Sequence, residues 1–207
     1  MKRRFVSSRF QAPLGILLWM AALLAGCQKT TGERIPPPRE GELAAQVLAS
    51  AGSTDVWDWN PKSGAYQKQT GAALDFLPYP CNYGYLTNAP KGEGGRPQEV
   101  LILGKRLEEG QTLGVTPIAV LRCLEAGQPR SFVLVQPAAF PPKSVKASTF
   151  RQFFMEYDGA KRILETWILH HRGYGTFEFV GWSDEKEAIE VIYGGPMAPG
   201  AGRKAEE

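Results

Sequence analysis

The 207-residue chain carries 24 Lys and Arg against 21 Asp and Glu, a formal net charge of +3, with 43% hydrophobic and 22% charged residues. Those fractions are ordinary for a globular protein and exclude a wholly disordered or low-complexity chain. The positive balance sits at the N-terminus, where Lys2, Arg3, Arg4 and Arg9 stand without an acid; losing those four charges leaves about −1, so no basic field remains to attract nucleic acid.

An apolar stretch over 14–24 follows that basic segment. It is shorter than the about 20 residues a membrane-spanning helix needs, and with its basic flank it fits a secretory signal peptide. It ends in Leu24-Ala25-Gly26-Cys27, which resembles the bacterial lipobox. Small residues let the chain enter a narrow protease site, and the thiol of Cys27 then accepts a diacylglycerol. The expectation is a signal peptide over 1–26 and a chain held on a membrane of the cell envelope through lipid on Cys27, facing the periplasm. Gln28 stands where an aspartate would suggest inner-membrane retention, which points to the outer membrane. Residues 27–43, with QKTTGERIPPPREGE at 28–42, read as a disordered tether, and 194–207 as a disordered tail. Between them, 44–193 is long enough for one domain with its own core.

Within the domain, Val56-Trp57-Asp58-Trp59 alternates with the strand period, and 60–64 (NPKSG) is a turn. The apolar run at 100–103 predicts a strand buried on both faces. Residues 115–123 and 131–135 predict two more. Short strands with no alternating helix rhythm suggest a small barrel rather than a parallel sheet. Cys81 and Cys123 both sit in strand-like apolar contexts. An exported compartment permits a disulfide, but a free buried cysteine is the commoner outcome there, and two free thiols are expected.

The C-terminal part has helical periodicity. Phe150, Phe153, Phe154 and Tyr157 share one face, Gly159 interrupts, and Ile163, Leu164, Trp167, Ile168 and His171 continue the stripe until Gly173 and Gly175. Residues 176–182 predict a strand with Phe177 and Phe179 on one side. Asp184 with Glu187 resembles a capping box opening a short helix, and Gly194 is a natural stop. Core packing against the barrel explains these aromatic stripes without a cofactor.

The segment Tyr79-Pro80-Cys81-Asn82-Tyr83-Gly84-Tyr85 resembles, nearly word for word, a segment of the family I soluble inorganic pyrophosphatases. The order and spacing of Val100-Leu101-Ile102-Leu103, Leu107-Glu108-Glu109-Gly110, Thr116-Pro117-Ile118-Ala119-Val120-Leu121 and Val180-Gly181-Trp182 extend the resemblance over about 46–193. It implies an α+β, mainly β fold: a closed five-stranded OB-like barrel flanked by helices. It also implies Mg²⁺-dependent hydrolysis of pyrophosphate to two phosphates, and the possibility of a homo-oligomer. In such chemistry Mg²⁺ neutralises the anionic substrate and acidifies a bridging water, which calls for a basin of carboxylates, while Lys, Arg and Tyr hold phosphate oxygens.

The family's acidic signature is largely replaced. Its three aspartates match Gly94, Arg96 and Glu99. Of two later aspartates, the first matches Glu125 and the second falls near Gln128 or Pro129. A Lys-Tyr-Glu run matches Val56-Trp57-Asp58, and a first-strand glutamate falls near Gln46 or Val47. An expected arginine has no counterpart nearer than Lys68, and a Tyr-Lys pair matches His171-Arg172. Tyr83 remains. Arg96 brings a cation to a metal position, where two charges about 4 Å apart repel by roughly 4 kcal/mol at an effective dielectric of 20.

Three readings follow. In the first, the protein is an anion-binding pseudo-enzyme, with Arg96, Arg130, Arg172 and Lys68 holding pyrophosphate or another phosphate-type anion. In the second, it hydrolyses pyrophosphate with Tyr83, Asp58 and Glu99 as catalytic groups and a reduced metal set on Glu99, Glu125 and Asp58. In the third, it is an envelope scaffold whose cleft charges form a solvated face. His170 and His171 are adjacent, and so cannot share a helical face as metal ligands; His171 is expected where the family has a phosphate-facing tyrosine. Trp57 and Trp59 share a strand face, with core packing the default and a stacking platform for a base or sugar the alternative.

Overall fold

The computed structural model describes residues 35–69, 74–139 and 145–194. The expected signal peptide, Cys27, most of the tether and the tail beyond Gly194 lie outside these residues. The tether's end does not stand away from the domain: Ile35 is buried among Val47, Leu113 and Val115.

Eight strands and three α-helices, with one 3-10 turn at Glu93–Gly95, follow in chain order among the described residues. The strands are β1 (Leu43–Ala49), β2 (Val56–Asn60), β3 (Ala65–Gln69), β4 (Asn82–Leu86), β5 (Glu99–Ile102), β6 (Thr112–Glu125), β7 (Gln128–Pro137) and β8 (Phe177–Ser183). Between β7 and β8 lie α1 (Phe150–Glu156) and α2 (Asp158–His170), and α3 (Glu185–Ile192) closes the chain. Six strands form one sheet in the order β1-β4-β5-β7-β6-β8, and β1 pairs with β6 as well as β4. β5 and β7 run parallel. β2 and β3 form a hairpin paired only with each other.

Strand periodicity divides the interior into two clusters. Leu101, Leu121 and Leu134 face one, and Val100, Ile102, Val120, Val133 and Val135 face the other. Phe153, Leu164, Trp167 and Ile168 of α1 and α2 seal the first, while Ala188 and Ile192 of α3 join the second. β5 is therefore buried at every position, as its unbroken apolar run predicts. β6 runs longer than its apolar pattern suggests. It shifts register between Pro117 and Ala119, a bulge that accommodates a proline lacking an N–H for the ladder.

The Tyr79–Tyr85 segment serves this architecture directly. The Asn82 side chain is fully buried; its carbonyl oxygen accepts from the backbone N–H of Ala51 and Leu107, and its amide donates to the carbonyls of Ile102 and Lys105. Gly84 lies against β1 so closely that a Cβ there would meet the Gln46 carbonyl oxygen at 2.1 Å. Tyr79 stacks on Tyr83 and packs against Trp167. Cys81 and Cys123 are both free and buried, as expected.

Three local readings change. The helical break falls at Tyr157 (φ −129°, ψ 32°), and Gly159 lies inside the first turn of α2. Phe154 and Ile163 are exposed rather than part of the core stripe; Phe154 packs beneath the Lys161 ammonium. Phe177 is buried and Phe179 is exposed, although both pair in regular register with β6; the register shift falls beyond them, between Phe179 and Gly181. Asp184 caps α3 by accepting from the N–H of Lys186 and Glu187. The Glu187 carboxylate does not close the capping box; it pairs with Arg122 of β6.

Candidate functional site

Glu99 opens β5 with its side chain 2% exposed. The turn before it, with Gly94 and Gly95 at φ +66° and +71°, returns the Arg96 N–H to the Glu93 carbonyl. Glycine carries those left-handed torsions without strain. Arg96 then reaches back, placing Nη2 2.7 Å from Glu99 Oε1. On the other side, Arg130 of β7 places Nη2 2.6 Å from Glu99 Oε2. β6 and β7 are joined through Ala126 and Gly127, both at positive φ, as a tight two-residue hairpin requires. That hairpin sets Glu125 near Arg130, whose Nε is 3.1 Å from Glu125 Oε2. Arg172, just beyond α2, places Nη1 2.5 Å from Asp58 Oδ1 on β2 and 3.8 Å from Glu125 Oε1. Its Nη2 donates to the Trp57 carbonyl.

Six side chains from four strands, one loop and one helix end thus form an alternating series: Asp58, Arg172, Glu125, Arg130, Glu99, Arg96. Three carboxylates face three guanidiniums, and the formal charges cancel. Two phenols complete the shell of Glu99. Tyr83 of β4 donates to it, and the Tyr66 hydroxyl of β3 lies 3.2 Å from Oε1. Burial alone would raise the Glu99 pKa; the Arg130 and Arg96 charges outweigh it and hold the carboxyl below its usual range. Burial first, then the Glu99 charge, drives Tyr66 and Tyr83 well above the usual phenol range, so both stay neutral donors.

The structure gathers Asp58, Tyr83, Arg96, Glu99, Glu125, Arg130 and Arg172 into this one network. Lys68 does not join it: its ammonium is 2.7 Å from Asp55 and about half exposed. His171 does not face the network as a phosphate ligand would. It is stacked between Trp167 and Phe177, with Nδ1 on the Ile168 carbonyl, and burial lowers its pKa to about 4. Tyr66 escaped sequence reasoning. Its only signal was its place opposite Trp59 across the hairpin, in a strand of otherwise exposed residues.

Mg²⁺ fits this donor set poorly. Among the described residues no group of three or more His, Cys, Asp or Glu side chains gathers as a metal ion requires. Asp58, Glu99 and Glu125 instead hold guanidinium groups. Two guanidiniums keep a donor unused: the buried Nε atoms of Arg96 and Arg172 have no hydrogen-bond acceptor, nor has the buried Nε1 of Trp57. Unsatisfied buried donors are rare enough to require explanation. Arg96, Glu99 and Arg130 line a cavity of about 320 Å³ together with Lys91 and Glu93, three cations against two carboxylates.

No protein-family model matches the chain, and no curated protein matches it either. Solved structures do. The inorganic pyrophosphatase from Neisseria gonorrhoeae superposes with a TM-score of 0.62 at 22% identity, over 77% of this chain and 93% of that one. The Coxiella burnetii inorganic pyrophosphatase gives 0.61 at 15% identity, over 77% and 96%. That from Thermus thermophilus gives 0.58 at 18% identity, over 76% and 92%. The chain shares the fold of these enzymes across nearly their full length.

Proposed function

We propose that this domain binds a phosphate-type anion on a pyrophosphatase-like scaffold, with guanidinium groups standing where divalent cations would, and that pyrophosphate hydrolysis is weak or lost. The carrying observation is the alternating series from Asp58 to Arg96. A carboxylate whose oxygens accept from guanidinium has little left for Mg²⁺, which demands near-ideal octahedral oxygen ligation. Arg96, Arg130 and Lys91, which line the cavity, supply the positive charge an anion needs, and guanidinium forks suit phosphate geometry. Pairing of β1 with both β4 and β6 supports reading β1, β4, β5, β7 and β6 as the closed OB-like barrel.

A second reading has its own support. Tyr83 and Glu99 are hydrogen-bonded at the centre of the network, where a reduced-metal inorganic diphosphatase would keep them. Phosphate release from pyrophosphate in Mg²⁺, Mn²⁺ or Zn²⁺ separates the two. Turnover at or only slightly above background is expected. A Gly94→Asp, Arg96→Asp double variant is also expected to gain divalent-cation binding: a Cβ at Gly94 meets nothing within 4 Å, and aspartate is among the side chains that enter the left-handed region of its φ of +66°, at some cost in strain. Robust turnover lost in Glu99→Gln overturns the proposal.

The lipobox-like Leu24-Ala25-Gly26-Cys27 supports a second proposal, an envelope lipoprotein anchored through Cys27. Mass spectrometry of the mature N-terminus is expected to find a diacylglyceryl cysteine, and Cys27→Ser to release the chain from membranes. An unmodified N-terminus contradicts the anchor.

A further inference from the structure

A second cavity, of about 480 Å³, adjoins the charged one, and Lys91 and Pro97 line both. Its walls carry Trp57, Trp59, Tyr66 and Tyr85. We propose that it is a ring-binding subsite, and that the ligand is an organic phosphate of nucleotide class whose planar base lies among these aromatics while its phosphate meets Arg96, Arg130 and Lys91. The inference rests on the anion-site reading above.

Size and chemistry both point this way. A pocket of a few hundred cubic ångströms suits a drug-sized ligand, and this cavity alone exceeds what a bare inorganic anion fills. Trp59 meets Tyr66 edge-on at 5.3 Å between centroids, and Tyr66 stacks on Tyr85 at 5.1 Å, so three rings form a continuous aromatic wall. Base–aromatic stacking is tolerant of base identity and strong enough to anchor a nucleotide. Core packing accounts for only part of the wall: Trp57, Tyr66 and Tyr85 pack against the main core yet stay partly exposed, and Trp59 belongs to neither core cluster. Trp59 and Tyr66 belong to the hairpin that pairs with no other strand among the described residues, so its aromatic face roofs the cavity rather than joining the main sheet. Tyr66 couples the two cavities: its ring lines the aromatic one while its hydroxyl holds Glu99 beside Arg96.

The test is calorimetric titration of the whole protein with ADP, UDP, adenosine and pyrophosphate, all in excess chelator. ADP or UDP is expected to bind about ten-fold tighter than pyrophosphate, since stacking contributes about 1–3 kcal/mol per base. Trp59→Ala is expected to remove that advantage and leave pyrophosphate binding unchanged, Trp59→Phe to restore it, and Arg96→Gln to weaken all three phosphates. Pyrophosphate binding equal to that of ADP, with Trp59→Ala silent, overturns the ring subsite and leaves the anion site standing. ADP binding no tighter than adenosine and indifferent to Arg96→Gln overturns the anion site. Binding of none of the four overturns both.

Discussion

Glu99 is the residue on which the charge series turns. It is buried, and it pairs with two guanidiniums and accepts from two phenols. Removing one member of a buried pair leaves the other charge unsolvated, at a cost of about 3–5 kcal/mol. Glu99→Gln is therefore expected to lower unfolding free energy by about 3 kcal/mol in urea titrations, and Arg96→Gln by less, because the Arg96 side chain is 28% exposed. Equal losses would contradict the central place given to Glu99. His171 supplies a pH signature. It stays neutral in the folded chain down to about pH 4, whereas the unfolded chain takes up its proton near 6.5. Between these values the unfolded state binds more protons, so stability falls as pH drops through the window, by about 3 kcal/mol in all. The depressed Glu99 carboxyl adds its loss only below the ordinary carboxylate range. Urea midpoints from pH 7 to 4 should fall for the parent chain and flatten for His171→Phe, which keeps the ring stack.

Elements declare themselves in sequence to the extent that burial patterns them. β5 was legible because both its faces are covered, leaving an uninterrupted apolar run. β3 was not, because three of its side chains beyond Ala65 are exposed and carry no pattern. β1, LAAQVLA, carries alanines that suit a helix as well as a strand, and only its pairing with β4 and β6 decides. The heptapeptide Tyr79–Tyr85 is a mark of resemblance in the sequence, and the structure gives it physical content. Gly84 admits the carbonyl of β1, so Gly84→Ala is expected to cost about 2–3 kcal/mol by overpacking against backbone. Asp184→Ala, which removes only the cap of α3, is expected to cost about 1 kcal/mol. Thermal unfolding of the pair checks the ranking, and a milder effect at Gly84 would deny the close approach. Since Asn82 and Gly84 serve packing, the intact segment testifies to fold more than to catalysis.

At the scale of the molecule, the fold was readable and the site's logic was not. Arg96, Glu99, Glu125, Arg130, Arg172 and Asp58 were all legible as candidates, but as rivals: arginines for an anion or carboxylates for a metal. Their pairing comes from β2, β5, β6, β7 and the end of α2 meeting in space, which local sequence pattern does not encode. The pairing makes the two lists one neutral network, and it carries the claim that guanidinium has taken the role of the divalent cation. The most direct measurement is pyrophosphate titration of the purified protein in excess chelator and again in Mg²⁺, with heat of binding and phosphate release followed together. Binding is expected to be undiminished by chelator and weakened by Arg96→Gln, with little or no turnover in either buffer. Binding that appears only with Mg²⁺, accompanied by phosphate release, would contradict that claim.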